Sequence, residues 1–304
     1  MGLCLSTAWN AFRYDNGKEI IREIRELGFT DVELSFDLTK RIVKDIADLV
    51  KSGDIKVKSL HNYCPIPDGL ERQRAQPDCY SLASLDEEER SRAVQYTKLT
   101  IETAISLNAS AVILHCGRVE MQDKTRELIS LYEQGQLDEP YARRLKARMR
   151  KERQERQGAH MRAALKSLEE LTHYARRLSI GLGIENRFYF REIPSFEEIG
   201  VIFDSFKDSS VFYWHDTGHA QLWENLGFFK HRDYLDAYSR LLLGVHLHDI
   251  NGARDHLAPL QGNLDFAWIK PYLRQNTIKT LEAHYPAVSQ DIIVARDFLE
   301  KLYG

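Results

Sequence analysis

The residues best suited to chemistry in this chain are histidines and carboxylates placed at the ends of apolar runs. Gly244–Phe266, GVHLHDINGARDHLAPLQGNLDF, shows the pattern most densely. The apolar approach Leu241–Leu243 leads into His246 and His248, which a strand turns to one face at its period of two. Asp249 and a polar loop with Asp255 and His256 follow, closing on Gly262-Asn263-Leu264-Asp265. Burying such groups unpaired is costly, and a bound metal ion would account for them. Other apolar stretches end in the same way, at His61, His115, Glu185, His215-Asp216 with His219 beyond, and Glu282 with His284. Of the 11 histidines, only His160, His173 and His231 lie apart from these ends and from the His256 loop. Glu185 and Glu282 stand in the apolar segments Ile180–Glu185 and Ile278–Glu282, where a carboxylate needs a partner. With Asp216 and His246 they make an oxygen–nitrogen set suited to Mn, Mg or Co and acceptable to Zn.

Positioning these groups requires a repeated strand-and-helix unit. Short apolar strands are expected at Leu3–Thr7, Asp31–Ser35, Lys56–His61, Ala109–Cys116, Ile180–Asn186, Val211–Asp216, Leu242–His248 and Thr277–His284. Helical patterns intervene, at Gly17–Leu27, up to about Lys51, Leu85–Leu107, from Ser195, and Ser289–Leu302. Ser195-Phe196-Glu197-Glu198 suits a helix start with an acidic first turn. Eight strands alternating with helices predict an α/β fold, a closed (β/α)8 TIM barrel, with all strand-end groups on one rim. No glycine-rich dinucleotide fingerprint follows any strand, which argues against a doubly wound open sheet. The expectation is one barrel domain over residues 1–304.

At 43% hydrophobic and 29% charged, the 304-residue chain has material for a large core. The first ten residues lack the charged start and length of a signal peptide, and no run nears the roughly 18 apolar residues of a membrane span. Cys4, Cys64, Cys79 and Cys116 show no metal or redox spacing and read as free thiols of a cytoplasmic protein. A net charge of −3 gives no overall attraction to nucleic acid.

Several motifs together resemble the xylose-isomerase-like TIM-barrel superfamily. They are Gly28-Phe29-Thr30-Asp31-Val32-Glu33-Leu34, Gly183-Ile184-Glu185-Asn186, His215-Asp216-Thr217-Gly218-His219-Ala220, Val245-His246-Leu247-His248-Asp249 and Leu281-Glu282. The superfamily holds sugar isomerases and epimerases, inositol-pathway dehydratases and isomerases, and endonuclease IV repair enzymes. The resemblance implies metal ligands at Glu185, Asp216, His246 and Glu282, with the two glutamates as the proton-transfer pair. The implied activity is isomerisation or epimerisation of a sugar or sugar-like polyol or keto acid, through an enediolate stabilised by one divalent ion. It also implies substrate contacts from His219, Arg187, Glu33 and His256. The endonuclease IV branch is the alternative, an abasic-site nuclease with two or three zinc ions held also by His61, His115, His219 and His256. Departures from that branch are Arg254 where an aspartate is expected, His115-Cys116-Gly117 for His-Pro-Gly, and Asn186-Arg187-Phe188-Tyr189 for small residues.

Arg118–Gly158, after the fourth strand, is far longer than an ordinary strand-to-helix loop. It predicts two helical pieces, about Asp123–Gln134 and Tyr141–Gln157, with Pro140 suiting a helix start. Its apolar residues are too many for an arm standing free in water, so packing on the barrel mouth or on a second copy in a homo-oligomer is expected. The basic stretch Arg143–Arg156 is expected to stay solvated or to meet acidic groups on a neighbouring chain.

Overall fold

The protein, described here over residues 2–304 from a computed structural model, closes eight parallel strands into a barrel. The barrel strands are β1 (Leu3–Ser6), β2 (Asp31–Leu34), β3 (Lys56–His61), β4 (Ala111–Leu114), β5 (Gly181–Glu185), β6 (Val211–Asp216), β7 (Leu242–Leu247) and β10 (Ile278–Leu281). Hydrogen bonding runs around the ring in the order β1-β10-β7-β6-β5-β4-β3-β2. Outside it lie α1 (Gly17–Glu26), α2 (Lys40–Ser52), α3 (Glu87–Ser106), α6 (Phe196–Ser205) and α9 (Ser289–Tyr303). Ser195 and Glu198 form the capping box of α6, as its sequence predicts.

The period of two sorts each strand into a wall-packing face and a lumen face. Leu3, Leu5, Val32, Leu34, Leu182 and Ile184 pack with the outer helices in the main core. Cys4, Ala111, Ile113, Trp214 and Ile278 form a separate cluster that plugs the barrel. Trp214 fits because Gly183 and Gly244 leave it room; a Cβ at either position would collide with the indole. Two residues further along, the lumen-facing positions turn polar: Ser59 and His61, Glu185, Asp216, His246, Thr280 and Glu282. The apolar plug is the floor on which that layer rests.

Three features depart from the sequence expectation. The second piece of the insertion does not stop near Gly158: α5 runs unbroken from Pro140 to Arg177 and is itself the barrel helix after β4. A lone glycine costs a helix only about 1 kcal/mol, too little to end one whose far half packs on the barrel. Two helices, α7 (Thr217–Asn225) and α8 (His231–Tyr238), connect β6 to β7, and the loop after β7 forms a hairpin of β8 (Asp249–Asn251) and β9 (Arg254–Leu257). Arg153, within the stretch expected to be solvated, is buried. It donates to the carbonyls of Phe190 (2.5 Å) and Glu192 (2.8 Å) and to Glu198 Oε2 (2.6 Å).

The insertion packs on the mouth. Leu128 of α4 (Thr125–Glu133) joins Leu145 and Met149 of α5 against Leu222 and Trp223 of α7, Leu226 just beyond it, and Ile250 and Ala253 of the hairpin. Among the described residues, no helix is long and apolar enough to cross a membrane.

Candidate metal centre

Four strand ends bring Glu185, Asp216, His246 and Glu282 to one point, with one ligand atom from each lying within 4.8 Å of the others. His246 is at its centre. Its Nδ1 lies 2.8 Å from Glu185 Oε1, 2.9 Å from Glu282 Oε2 and 3.7 Å from Asp216 Oδ2. Its Nε2 donates to Glu33 Oε1 at 2.9 Å. An imidazole whose far N–H is held by a carboxylate has its tautomer and ring plane fixed, and the near nitrogen is left for a metal. Burial alone would lower the pKa of His246, but Glu282 and Glu33, with the bonds to Asp216 and Glu185, hold it well above the usual imidazole value. In the metal-free chain the imidazolium therefore balances the carboxylates. Three carboxylates and one imidazole nitrogen form a donor set that fits a divalent cation.

The carboxylates are held ionised. Burial pushes Glu185 up, but the Arg187 charge and the neighbouring His115, His246 and His61 outweigh it and hold the group well below the usual carboxylate range. Burial likewise opposes ionisation of Glu282, which His246, His256 and His284 nonetheless bring down to about 2. Burial opposes ionisation of Asp216 too, and His219 and His248 overcome it to hold that group low. Asp216 also caps α7 by accepting from the His219 backbone N–H at 2.7 Å.

Glu33, for which the family resemblance implies a substrate contact, sits deeper than the other expected residues. It is fully buried, accepts from Ser59 Oγ (2.7 Å) as well as from His246, and does not line the cavity. The alternation on β2 places it in the lumen, beneath the space a substrate could enter.

The other expected residues surround the cavity, of about 780 Å³, whose lining includes His61, His115, Glu185, Arg187, His219, His256 and Glu282. His61, His115 and Glu185 form a second ligand-like group. His61 Nδ1 faces the Asn62 carbonyl at 3.1 Å, leaving Nε2 towards Glu185 Oε2 at 3.7 Å. His115 Nε2 is 2.7 Å from the same oxygen. Burial and the Arg187 charge push the His115 pKa down to about 3, so the ring is neutral. His219 Nδ1 faces the Asn186 carbonyl at 3.0 Å. His256 is paired through Nδ1 with Asp255 at 2.9 Å; burial lowers its pKa, but Asp255 outweighs this and raises it to about 9.

Several residues at these strand ends, although noted in the sequence, carried no assigned role there, and one wall of the cavity went unnoticed. His248 accepts from the His256 backbone N–H at Nδ1 (2.9 Å) and donates from Nε2 to Asp216 (2.9 and 3.0 Å), so it orients that carboxylate. His284 lines the cavity and stacks on His256 at 4.0 Å. Its position two residues after Glu282 is the signal that placed it at this rim in the sequence. Arg126, Ile129 and Ser130 of α4 form one wall, for which the strand pattern holds no clue. Asp249, buried, accepts the backbone N–H groups of Leu260, Gly262 and Leu264 and so ties down the loop that carries His256. His215 faces away from the lumen, bonded to Tyr213 Oη (2.8 Å) and His231 Nε2 (2.9 Å).

A family model described as a xylose isomerase-like TIM barrel matches residues 21–302. Among solved structures, a D-tagatose 3-epimerase-like protein is 19% identical with a TM-score of 0.68, covering 99% of this chain and 97% of that one. The E. coli 3-keto-D-glucoside 4-epimerase is 16% identical with a TM-score of 0.68, and 99% of each chain is covered. A Thermus thermophilus protein soaked with ZnCl2 is 18% identical with a TM-score of 0.59, covering 99% of this chain and 98% of that one. No protein with a curated description matches the sequence.

Proposed function

Because this chain belongs to the xylose isomerase-like TIM-barrel family, we propose that it is a divalent-metal-dependent isomerase or epimerase of a sugar or sugar-like polyol or keto acid. The observation that carries the reading is the convergence of Glu185, Asp216 and Glu282 on His246 Nδ1. These four residues would hold the ion. When bound, it supplies Lewis-acid polarisation of the substrate oxygens. Glu185 and Glu282 come from β5 and β10, with β6 and β7 between them in the ring, so they approach the centre from different sides. Both are ionised, and each can take a proton from a substrate carbon and return one. Arg187, His219 and His256 supply hydrogen-bonding groups for substrate oxygens, and α4 screens the mouth from bulk water.

One observation favours a second reading, a zinc-dependent abasic-site nuclease. Two further ligand groups flank the quartet: His61, His115 and Glu185, and Asp216, His219, His248 and His256. Against it, the Arg187 guanidinium bonds within the first group, and His248 in the second already donates from Nε2 to Asp216.

Incubating metal-loaded protein with a panel of ketoses and aldoses in deuterated water tests the proposal. The expected result is deuterium at the carbon beside the carbonyl, lost in Glu185→Gln and Glu282→Gln. No exchange with any sugar, together with incision of abasic duplex DNA that His115→Ala removes, would transfer the assignment to the nuclease.

A further inference from the structure

We propose that Arg187 is a built-in cation that closes the His61–His115–Glu185 group to a second metal ion and so sets the stoichiometry of the centre. The inference rests on the metal reading above. His115 Nε2 and Glu185 Oε2 lie 2.7 Å apart, with His61 Nε2 3.7 Å from the same oxygen, an arrangement of ligand atoms that suits a bound cation. Arg187 Nη1 sits against both of the closer atoms, 2.5 Å from His115 Nε2 and 2.5 Å from Glu185 Oε2. Its two N–H groups serve one atom each.

The guanidinium is also fixed from behind. Nη2 donates to Glu192 Oε1 at 3.3 Å, and Glu192 is held in turn by the Tyr189 backbone N–H (2.8 Å) and, at its carbonyl, by Arg153 (2.8 Å). The Arg187 carbonyl accepts from Trp223 Nε1 at 2.6 Å. Glu185 thus divides its oxygens, Oε1 to His246 and Oε2 to Arg187.

A guanidinium keeps its proton at any working pH, so it cannot yield to a metal ion by becoming neutral, as a lysine or histidine could. An incoming ion would have to break two charge-assisted hydrogen bonds and leave a buried charge unpaired against it. One side chain thereby separates a one-ion centre from a two-ion centre built of the same ligands.

Zinc per folded chain, measured by elemental analysis after dialysis against buffered free Zn²⁺, tests this. About one ion is expected in the wild type and in His115→Ala, about two in Arg187→Ala, and about one in the Arg187→Ala/His115→Ala double variant. Arg187→Gln, which fills the same space without the charge, replaces Arg187→Ala should the latter not fold by circular dichroism. A wild-type content near two that drops to about one in His115→Ala would overturn the proposal. So would a folded Arg187 variant that stays at one. Absence of zinc from every protein would instead overturn the metal reading on which the proposal stands.

Discussion

Replacing Glu33 by Gln separates a residue that supports the metal from one that holds substrate. Glu33 has no exposed surface and accepts from His246 Nε2 at 2.9 Å, Ser59 Oγ at 2.7 Å and Thr280 Oγ1 at 3.3 Å. Glutamine keeps the volume but offers one acceptor oxygen, and its amide N–H₂ group can only donate. Either His246 or the two hydroxyls then lose their acceptor, and the negative charge that makes His246 Nδ1 a stronger donor is gone. Loss of such a partner behind a ligand costs about 10- to 100-fold in metal affinity, or ~1.4–2.7 kcal/mol. Titration of metal-stripped protein with Mn²⁺ in a calorimeter, against a competing chelator, reads this directly. The expected result is a raised metal Kd with the sugar KM at saturating metal unchanged. An unchanged metal Kd with a raised KM would refute the reasoning and return Glu33 to the substrate.

Two further outcomes follow from the burial of charge elsewhere. Arg153→Met leaves Glu198 without its charged partner and two carbonyls without their donor and should cost about 3–5 kcal/mol in urea unfolding, whereas Arg156→Met on the exposed face of the same helix should stay within about 0.5 kcal/mol; equal midpoints for the two would contradict the buried anchor. Metal-free protein should lose stability as pH falls from about 6.5 towards 5, because burial holds His215 at about 3 and His231 well below its ordinary value while the unfolded chain takes up protons there. Each neutral-buried histidine contributes about 1.4 kcal/mol per pH unit across that window, and His256, raised to about 9, acts with the opposite sign only above about 6.5. A urea midpoint that is flat from pH 6.5 to 5, or a slope unchanged in His231→Gln, would count against this.

The barrel was legible because its strands obey a local rule. In Ile180–Glu185 and Val211–Asp216 the apolar run, its length and its polar end together fix the element, and each polar end falls at the rim where a barrel gathers its chemistry. The quartet could therefore be expected from the chain, and the structure brings those four residues together. What could not be read depends on partners distant in sequence. The Arg153 side chain looks like any other in a basic helix until Glu198 and the Phe190 carbonyl are placed around it. Arg187 reads only as a substrate contact until His115, 72 residues away, is seen to accept from it as well. Glu33 shares the lumen face with the site, but depth along the barrel axis, which decides support versus contact, has no signature in alternation. The continuity of α5 through Gly158 was missed for another reason: a glycine marks a possible break, and only packing decides whether the break occurs.

Binding of one divalent ion by Glu185, Asp216, His246 and Glu282 is the point on which the rest depends. Elemental analysis of protein purified without chelator, alongside Glu282→Gln and Asp216→Asn, tests it most directly. The expected result is about one divalent metal per wild-type chain, sharply reduced in both variants, with added metal raising the wild-type melting temperature and not theirs. Wild-type protein that carries no metal and gains no stability from Mn²⁺, Co²⁺ or Zn²⁺, or variants that retain the full content, would contradict it.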